Sequence, residues 1–568
     1  MRRVSFLLSA LCVLACSTGK VLAEDHSVII VSQGDKTVYD TDPATGKVIN
    51  KIQLEGTPTE AVYSWDERWL FVAVPEQGYI SVINARTFKE SSRFTRPEFK
   101  RAAGATGLSD VLVTTPDFKK LYVSVPGGVE CFDQKLLVYS PEYAQAGTKI
   151  AITGTDGQRM LVQGPTQKLY HALGKANQVA VIDTNTDKLL KMVPVKGGPT
   201  DVAFMIGGEA WVTSADGTVS VIDTNKDEVV KTIATSGKGP ARIITAPDVR
   251  YIATSHNDSG DVTILQPITK EVVGTVKVDM KGPLSVRFTP PNAKGAKAWS
   301  YPPTNQIYVF GDSGMVTVDL DKMSAGAPVM VGTNDSANLI HYTYAESFMP
   351  PREGTSTRIV ETDLYTLFDN AMFVYDLSPI HEHRTDMAAV IVGEGVAKIG
   401  CWEEPACTET KSKMGITAGI NAQGGTPYSY TESRVGGFTG VPRGTLHEEE
   451  GVTPMPREMI IFMPKNNYYR QKNPKKVSAL ASMPNSKLIT DNTRIWLYDV
   501  VLVPGQPVTF PANTDYAFVY IAGGLLRETH NGVPSIEHRL FKDWELDSTE
   551  KTVEALSNRI HLTVMEFK

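Results

Sequence analysis

The heptapeptide VIDTNTD at residues 181–187 returns as VIDTNKD at residues 221–227, forty residues further along the chain. Each copy opens with alternating apolar residues, which is typical of a β-strand with one buried face. The Asp-Thr-Asn that follows favours a tight turn, because a short polar side chain can cap its own backbone. Both copies lead into another alternating strand and then to a Gly-Pro pair, at residues 198–199 and 239–240, which breaks that strand.

Weaker copies of the same strand occur throughout the first part of the chain. Together with the two strong copies, they end at Asp40, Asn84, Ser140, Asp183, Asp223, Gln266 and Asp319. Their spacing, between 40 and 56 residues, is close to the period of a propeller blade, in which each repeat of about 40–45 residues forms four short strands. The repeat therefore predicts a seven-bladed β-propeller over residues 27–345.

The first copy begins one strand short. Residues 27–31 already have the pattern of a middle strand, so the first blade lacks a partner at its start. The segment 338–344, just past the seventh copy, has the alternation needed to supply it. We expect this segment to join the two ends of the ring, which would remove two open sheet edges.

Two segments of this region, KLYVSV at residues 120–125 and EAWVTS at residues 209–214, are each followed by a Val-Ile-Asp-like strand. They resemble the YVTN-type β-propeller repeats of exported bacterial proteins, over about residues 27–345. The resemblance implies the propeller fold but no activity, because propellers host many unrelated functions. His171 and His256 do not fall at one repeated blade position, so we expect no ring of metal ligands in this part.

The N-terminus has the pattern of an export signal. Arg2 and Arg3 precede an apolar run at residues 6–15, which is too short to span a bilayer. Val-Leu-Ala at residues 21–23 fits ordinary signal-peptidase cleavage, which predicts a signal peptide over residues 1–23 and a periplasmic or secreted protein. The alternative is the lipoprotein-like box at residues 13–16, which would lipidate Cys16 and anchor the protein in the outer membrane.

Composition excludes several classes of partner. The chain is 42% hydrophobic and 21% charged, with a net charge of -6 and no basic block, so nucleic acid is excluded. Beyond the signal, no segment holds the run of about 20 apolar residues that a transmembrane helix needs. In an oxidising compartment Cys401 and Cys407 either close a short disulfide loop or remain two thiols.

The repeat stops at residues 346–357, a Pro- and Gly-containing stretch that predicts a linker. Beyond it His381 and His383 stand two residues apart in a predicted strand, so their side chains face the same side. Further along, Gly436 is followed by Pro442, Gly444 and His447 in the spacing Gly-x5-Pro-x-Gly-x2-His.

These two elements together resemble the two motifs of the cupin superfamily. The resemblance implies a metal-binding β-barrel over residues 358–470, in which His381, His383 and His447 bind one divalent transition metal. Three imidazoles suit Fe, Mn, Ni, Cu or Zn. The carboxylate that cupins usually carry after the second histidine is missing, and the nearest acid is Asp386. Either water completes a three-histidine site, or Asp386 is the fourth ligand.

A second, degenerate copy follows. Residues 514–524 parallel residues 385–395, and they lead a predicted barrel over residues 487–568 that has no histidine at the matching positions. We expect this barrel to be free of metal and to pack against the first. The predicted fold is therefore all-β, with a seven-bladed β-propeller followed by two cupin-like β-barrels.

Two classes of function follow from this organisation. A metal with open coordination positions can act as a Lewis acid or bind O₂. The cupin resemblance accordingly implies an exported enzyme of the oxygenase (dioxygenase-like), isomerase or lyase type, acting on a small organic substrate. The alternative is a non-catalytic propeller scaffold or ligand-binding protein in the periplasm, with a protein as its partner. No nucleotide-binding loop or Ser-His-Asp spacing competes with these interpretations.

Overall fold

In the computed structural model the chain is built almost entirely of β-strands. The structure describes residues 26–568 apart from these gaps: 65–67, 86, 101–111, 116–118, 145–146, 148, 154–156, 164–166, 206–207, 240, 247–250, 268, 281–283, 289–305, 313, 330–334, 343–355, 362–364, 373–376, 384–386, 394, 401–427, 434–437, 442–444, 452–456, 465–475, 492–494, 513, 540–542 and 557–558. The predicted signal peptide with Cys16, the Cys401 and Cys407 pair and Asp386 lie outside the described residues. Within the described part of the chain, no helix is long and apolar enough to cross a membrane.

The described residues between 26 and 342 form twenty-eight strands and one short α-helix. The strands are β1 (His26–Ser32), β2 (Thr37–Thr41), β3 (Val48–Gln53), β4 (Glu60–Tyr63), β5 (Trp69–Val74), β6 (Tyr79–Asn84), β7 (Lys89–Thr95), β8 (Leu112–Thr114), β9 (Lys120–Val125), β10 (Gly128–Asp133), β11 (Lys149–Ala151), β12 (Gly157–Gln163), β13 (Lys168–Leu173), β14 (Gln178–Asp183), β15 (Lys188–Pro194), β16 (Pro199–Met205), β17 (Glu209–Ser214), β18 (Thr218–Asp223), β19 (Glu228–Ala234), β20 (Ala241–Thr245), β21 (Ile252–His256), β22 (Asp261–Gln266), β23 (Glu271–Lys277), β24 (Ser285–Phe288), β25 (Gln306–Gly311), β26 (Gly314–Asp319), β27 (Ser324–Ala325) and β28 (Asp335–Tyr342). The helix is α1 (Gln134–Tyr139), and single 3₁₀ turns occur at Pro97–Phe99 and Pro141–Tyr143.

In the described residues these strands form seven antiparallel sheets of four strands each. Sheet A has the order β28-β1-β2-β3, and sheets B to G follow in chain order from β4 to β27, four strands at a time, with β11-β10-β9-β8 as sheet C. The first strands of neighbouring sheets contact one another from β4 round to β24, and β28 contacts both β24 and β4. A closed ring of small antiparallel sheets fits a β-propeller.

The ends of the ring meet in sheet A. β28 pairs antiparallel with β1, with Tyr342 opposite His26 and Ile340 opposite Val28. The segment around residues 338–344 therefore supplies the missing strand, as the repeat pattern predicts. Because one sheet draws strands from both ends of this region, the ring cannot open without breaking a strand pair.

The repeated turns use the chemistry that the sequence predicts. Asp183 Oδ1 accepts a hydrogen bond from the backbone N–H of Asn185 at 2.8 Å, and Asp223 Oδ1 accepts one from Asn225 at 2.8 Å. The last residue of each turn has positive φ, with 54° at Asp187 and 53° at Asp227. These short polar side chains therefore hold the third and fourth strands of their sheets in hairpins.

The expectation for the third repeat was wrong. Its strand was predicted to end at Ser140, but β10 ends at Asp133 and the residues before Ser140 form α1. Asp133 caps that helix, since its Oδ1 accepts a hydrogen bond from the Leu136 N–H at 3.0 Å. Leu137 and Val138 are buried in the core between sheets B and C, so their apolar pattern reflects a helix face instead of a strand.

Adjacent sheets are joined by a repeated polar contact. The Nζ atom of Lys120 lies 2.7 Å from Asp187 Oδ2, and the Tyr122 hydroxyl donates to the other oxygen of Asp187 at 2.5 Å. Each contact of this kind links the second strand of one sheet to the third hairpin of the next. We call these contacts the inter-sheet locks.

Two further sheet pairs carry the same contact. In the next pair Lys168 and Tyr170 bind Asp227 in the same way. In the following pair the charges are exchanged, because Glu209 stands on the strand and Lys270 in the turn, with 3.0 Å between Glu209 Oε1 and Lys270 Nζ. Lys270 has the same positive φ, 55°, as the turn residues that it replaces.

The remaining described part of the chain contains eighteen strands. They are β29 (Ser356–Glu361), β30 (Tyr365–Met372), β31 (Leu377–Glu382), β32 (Met387–Gly393), β33 (Gly395–Gly400), β34 (Tyr428–Ser433), β35 (Phe438–Val441), β36 (Leu446–Gly451), β37 (Arg457–Pro464), β38 (Ser486–Asp491), β39 (Ile495–Leu502), β40 (Val508–Phe510), β41 (Tyr516–Ala522), β42 (Gly524–His530), β43 (Val533–Arg539), β44 (Trp544–Asp547), β45 (Lys551–Ala555) and β46 (Ile560–Phe567).

These strands form two units of nine strands with one topology. The first unit has sheet H, ordered β29-β30-β37-β32-β35, and sheet I, ordered β31-β36-β33-β34. The second has sheet J, ordered β38-β39-β46-β41-β44, and sheet K, ordered β40-β45-β42-β43. Counted within each unit, the order is 1-2-9-4-7 in sheets H and J and 3-8-5-6 in sheets I and K. The two units are thus structural copies of each other.

The two units pack through their five-stranded sheets. One apolar cluster joins Val390 and Phe462 of sheet H to Leu497, Val519 and Met565 of sheet J, and it defines the contact between the units. A second cluster fills the space between sheets J and K, and it includes Leu480, which precedes the expected start of this unit at residue 487. The predicted packing of the second unit against the first is observed.

Candidate metal centre

The site predicted from sequence lies in sheet I of the first unit. β31 and β36 are antiparallel neighbours in that sheet, and their register places His381 directly opposite His447. His383 follows β31 by one residue, and its backbone N–H donates to the Thr445 carbonyl at 2.9 Å. This hydrogen bond extends the pairing of the two segments as far as His383.

The side chains of His383 and His447 meet inside the protein. They are 7% and 1% exposed, and their Nε2 atoms lie 2.8 Å apart. The ring centroids are 4.9 Å apart, with 58° between the ring planes. Two of the predicted ligands are therefore brought together with the same nitrogen of each ring turned towards the other.

The other two predicted ligands are less completely described. For His381 the backbone position is known, opposite His447, and the structure describes nothing of its side chain. Asp386 lies outside the described residues. The fourth ligand, either water or Asp386, therefore stays a prediction.

The inner face of sheet H, which looks towards sheet I, is apolar. Met387, Ala389, Ile391, Met459 and Ile461 are all buried in one cluster there. Phe368, Met463 and Val441 extend this cluster. A buried imidazole pair in sheet I and an apolar cluster in sheet H of the same unit resemble the usual composition of a small-molecule site, in which a few polar groups stand among many apolar ones.

The structure adds a charged pair that sequence reasoning missed. Glu449 lies two residues after His447 on β36, so both side chains are on the same face of the strand. Arg457 of sheet H is 2% exposed and places its NH1 atom 3.1 Å from Glu449 Oε1. Sequence reasoning missed Glu449 because it stands in a run of three glutamates. Of these, only Glu449 shares the strand face of His447.

The second unit has a lysine at the position of His447. The strand pairing aligns Gly451 of β36 with Ala555 of β45, since each pairs with the third residue of the equivalent neighbouring strand. Four residues earlier stand His447 in the first unit and Lys551 in the second. The residue opposite Lys551 is Phe510, which takes the place of His381. The predicted metal ligands His381 and His447 of the first unit thus correspond to phenylalanine and lysine in the second.

Lys551 is completely enclosed and lies in a charged network. Its Nζ atom is 2.8 Å from Glu545 Oε1 and 4.0 Å from the centroid of the Phe518 ring. The ligand atoms of Glu528, His530 and Glu545 lie within 4.8 Å of one another, a spacing that could hold a metal ion.

An arginine already neutralises these carboxylates. Arg539 NH2 lies 2.9 Å from Glu528 and 3.0 Å from Glu545. Together with Lys551, it supplies the positive charge that a metal ion would otherwise bring. The expectation that this unit binds no metal therefore stays a prediction, and the charge balance of the network agrees with it.

The propeller histidines are placed in strands and not in a shared ring. His171 is 1% exposed, and burial lowers its pKa from 6.5 to about 3. His256 is buried too, with its Nε2 atom 2.9 Å from the Thr254 hydroxyl, and burial lowers its pKa. Both are neutral core residues at ordinary pH.

No family model matches the sequence, and no curated protein matches it either. Among solved structures, a functionally unknown protein from Desulfotomaculum acetoxidans DSM 771 is similar over 56% of this chain and 99% of its own, at 12% identity and a TM-score of 0.44. Dihydro-heme d1 dehydrogenase NirN in complex with DHE covers 55% of this chain and 74% of its own, at 14% identity and a TM-score of 0.40. Hydrazine synthase from Kuenenia stuttgartiensis covers 48% and 81%, at 18% identity and a TM-score of 0.36. With TM-scores this low, none of these similarities carries an argument about function.

Proposed function

We propose that this protein is an exported metal-dependent enzyme, in which a seven-bladed β-propeller is joined to two cupin-like barrels and the first barrel holds the metal. The ligands are His381, His383 and His447, with water or Asp386 as the fourth. The observation that carries the proposal is the buried pair of His383 and His447, with 2.8 Å between their Nε2 atoms.

The residues present fit a divalent transition metal. Neutral imidazole nitrogens are favoured ligands of Fe, Mn, Ni, Cu and Zn, and two of them here point at one place. In the strand register His381 is the residue opposite His447, which supports its inclusion as the third ligand in this proposal. The alternative for the two rings alone is a hydrogen bond in which one Nε2–H donates to the other nitrogen.

The metal, when bound, supplies a Lewis acid or a binding position for O₂. The protein's own contribution is to hold the ligands and exclude water. The hydrogen bond from His383 N–H to the Thr445 carbonyl fixes the start of β36 against the end of β31. The apolar cluster of sheet H that includes Met387, Ile391 and Met459 favours a largely organic substrate. The substrate class is a small organic molecule, handled by an oxygenase, isomerase or lyase type of reaction.

The second barrel supports this assignment by comparison. Where the first barrel has His447, the second has the ammonium group of Lys551 beside Glu545, which fills the equivalent place with a fixed positive charge. The first barrel would then bind an exchangeable metal ion, and the second would carry the permanent positive charge of Lys551 at the equivalent position. In this proposal the second barrel serves as structural support for the first.

Metal analysis of the purified full chain tests the proposal. We expect close to one equivalent of a transition metal per chain, and loss of most of it in His447→Ala, because that change removes one of the ligands. The exposed His538 provides the matched control, and His538→Ala should keep the metal. A folded wild-type chain that takes up no Fe, Mn, Ni, Cu or Zn would overturn the proposal and favour the non-catalytic scaffold.

Export is a separate part of the proposal. We expect the mature chain to start at Glu24, because Val21 and Ala23 are the small residues that signal peptidase accepts. N-terminal sequencing of the exported protein decides this. A lipid-modified Cys16 at the N-terminus would contradict it and indicate an outer-membrane lipoprotein.

A further inference from the structure

The outer wall of the propeller carries exposed aliphatic side chains. In sheets D, E and F the first strand contacts its neighbours round the ring, so the fourth strand lies on the outside. These outer strands are β15, β19 and β23. We call the following five aliphatic residues, which are between 37% and 54% exposed on these strands, the aliphatic band: Leu189, Leu190, Val229, Val230 and Val272.

A β-bulge places the band at one position of the repeat. In sheet D the register of β14 and β15 shifts at Leu190, which is the extra residue between Leu189 and Lys191. Val230 and Val273 are the extra residues at the same point of sheets E and F. Each member of the band therefore stands at the bulge of its strand or one residue before it.

The fold does not require aliphatic residues at this bulge. Sheet B has the same bulge in β7, where the corresponding residues are Glu90 and Ser91. The Glu90 carboxylate forms an ion pair with Arg93 and accepts a hydrogen bond from the Ser81 hydroxyl. Since polar residues are accommodated there, the aliphatic band needs another explanation. Exposed apolar groups that lie together mark a contact surface for a partner or a membrane.

The band has a positively charged border. The residues Asp187, Asp227 and Lys270 belong to the inter-sheet locks and have their charges paired there. The other charged residues within three positions of the band are four lysines and two glutamates: Lys188, Lys191, Lys226, Lys231, Glu228 and Glu271. The chain as a whole has a net charge of -6, so this positive border is a local feature.

One of these lysines is paired, and others are exposed to solvent. Lys191 Nζ lies 3.4 Å from Glu228 Oε1, which links β15 to β19. Lys188 and Lys231 directly adjoin the band, and both are exposed. Their long aliphatic stems can lie along the band while the ammonium groups stay in a polar environment.

The composition of this surface favours a lipid bilayer over a protein partner. Protein interfaces are depleted in lysine and enriched in arginine and aromatic residues, and β15, β19 and β23 contain no arginine and no aromatic residue. The bulges also interrupt the outer edges on which a second chain could pair as a strand. Aliphatic groups bordered by lysines match a bilayer with anionic headgroups, because apolar burial and charge attraction then act together.

We propose that the aliphatic band binds the surface of an anionic membrane. Leu190 and Val230 enter the headgroup region, and Lys188 and Lys231 lie against the lipid phosphates. The contact is peripheral and reversible, since a few partly exposed side chains provide its apolar area. It does not depend on the proposed metal site or on the proposed enzyme activity.

Flotation of the mature chain from Glu24 with lipid vesicles tests the proposal. Neither a signal peptide nor a lipid on Cys16 can then hold the protein on the vesicles. The vesicles contain phosphatidylcholine alone, or phosphatidylcholine and phosphatidylglycerol in equal parts. We expect binding to the anionic vesicles to be at least about tenfold stronger than to the neutral ones, and to weaken at high ionic strength, because the lysine attraction is screened by salt.

Two double substitutions separate the apolar part from the charged part. Leu190→Asn with Val230→Asn removes aliphatic groups, and Lys188→Gln with Lys231→Gln removes charge and keeps the band. We expect each pair to weaken binding to the anionic vesicles by about tenfold. Val533→Asn is the matched control, at an exposed valine of the second barrel, and it should bind like wild type. Circular dichroism shows that the variants are folded.

Two results would overturn the proposal. The first is a wild-type chain that does not bind the anionic vesicles, and the second is undiminished binding by the folded asparagine variant. Light scattering identifies a different occupant of the band. A wild-type dimer that dissociates in the asparagine variant would mean that a second copy of the chain covers the band in place of a membrane.

Discussion

Single residues distinguish the two nine-stranded units at the predicted metal site. Their topology is the same, yet His447 in the first corresponds to Lys551 in the second, and the residues opposite are His381 and Phe510. Lysine brings its own positive charge, so a metal ion at that place would be repelled. The difference between the barrels therefore depends on two substitutions and not on a change of fold.

The buried charge of Lys551 gives a testable consequence. Lys551→Met removes the ammonium group and leaves Glu545 with a less neutralised carboxylate, and breaking a buried ion pair in this way costs about 3–5 kcal/mol. We expect the unfolding transition of the second barrel to shift accordingly in urea titrations. Lys487→Met, at a partly exposed lysine, is the control and should cost no more than about 1 kcal/mol. Equal effects of the two changes would argue against a network centred on Lys551.

Because His171 is buried in its neutral form, we expect the propeller to lose stability as the pH falls. Burial lowers its pKa from 6.5 to about 3, so the native state keeps the ring neutral where the unfolded chain would protonate it. Stability is therefore complete above pH 6.5 and is lost as the pH falls towards 3, by about 1.4 kcal/mol per pH unit within that window.

His171→Leu should remove this dependence. Neither ring nitrogen has a hydrogen-bond partner among the described residues, so leucine should also stabilise the propeller at pH 8, by about 1–3 kcal/mol. Urea unfolding at pH 5 and pH 8 measures both effects. His538→Leu, at an exposed histidine, is the control. If His171→Leu still loses stability between pH 8 and pH 5, other groups are responsible for the pH dependence.

At the scale of elements, the inter-sheet locks fix sheet C to D, D to E and E to F. Tyr122 and Tyr170 donate to Asp187 and Asp227, and these acids stand at positive φ in the turns of the following sheets. We expect Tyr122→Phe and Tyr170→Phe each to destabilise the propeller by about 1–2 kcal/mol, because each leaves a partly buried carboxylate short of one donor. Tyr139→Phe, at a residue that is 72% exposed, should be neutral in the same thermal or urea unfolding assay.

The exchanged lock also links the propeller to the C-terminal half. Glu209 Oε1 lies 3.0 Å from Lys270 and 3.3 Å from Lys487, which belongs to β38 in the second unit. In the other two locks the acid stands in the turn instead, so among the three described locks this one offers a strand carboxylate to a lysine from outside the ring. The exchange of charges thus coincides with a contact between the two halves of the chain.

At the scale of the whole molecule, the C-terminal half has four layers, with sheets I, H, J and K stacked in that order. The central contact between sheets H and J is apolar and includes Val390 of sheet H, which is 0% exposed. Val390→Asp buries a charge in this contact, so we expect it to destabilise the C-terminal half by about 3 kcal/mol or more. The propeller transition should stay in place, because the propeller has its own core.

Differential scanning calorimetry of the full chain separates these transitions. Val533→Asp is the matched control, at a valine that is 70% exposed, and it should leave both transitions unchanged. Should Val390→Asp lower the propeller transition equally, the two halves would have to unfold as one unit, contrary to the separate cores.

The period of the repeat is what the sequence alone determined best. The alternating strands and the Asp-Thr-Asn turns are local features, since a two-residue periodicity and a side chain capping its own backbone need no distant partner. The closing strand near residue 340 could also be expected, because the first repeat lacks a partner for β1 and the segment after the seventh repeat has the alternation of a strand. The third repeat was misjudged at Ser140, because an apolar run of a few residues is compatible with a helix face as well as a strand.

Only the tertiary structure decided how distant residues meet. The pairing of His383 with His447 rested on a motif resemblance in the sequence, whereas their separation of 2.8 Å depends on the register of β31 and β36. Neither the correspondence of Lys551 with His447 nor the ion pair of Arg159 with Glu60 has a local signal. Such contacts are set by strand order and sheet packing, and these depend on residues far apart in the chain.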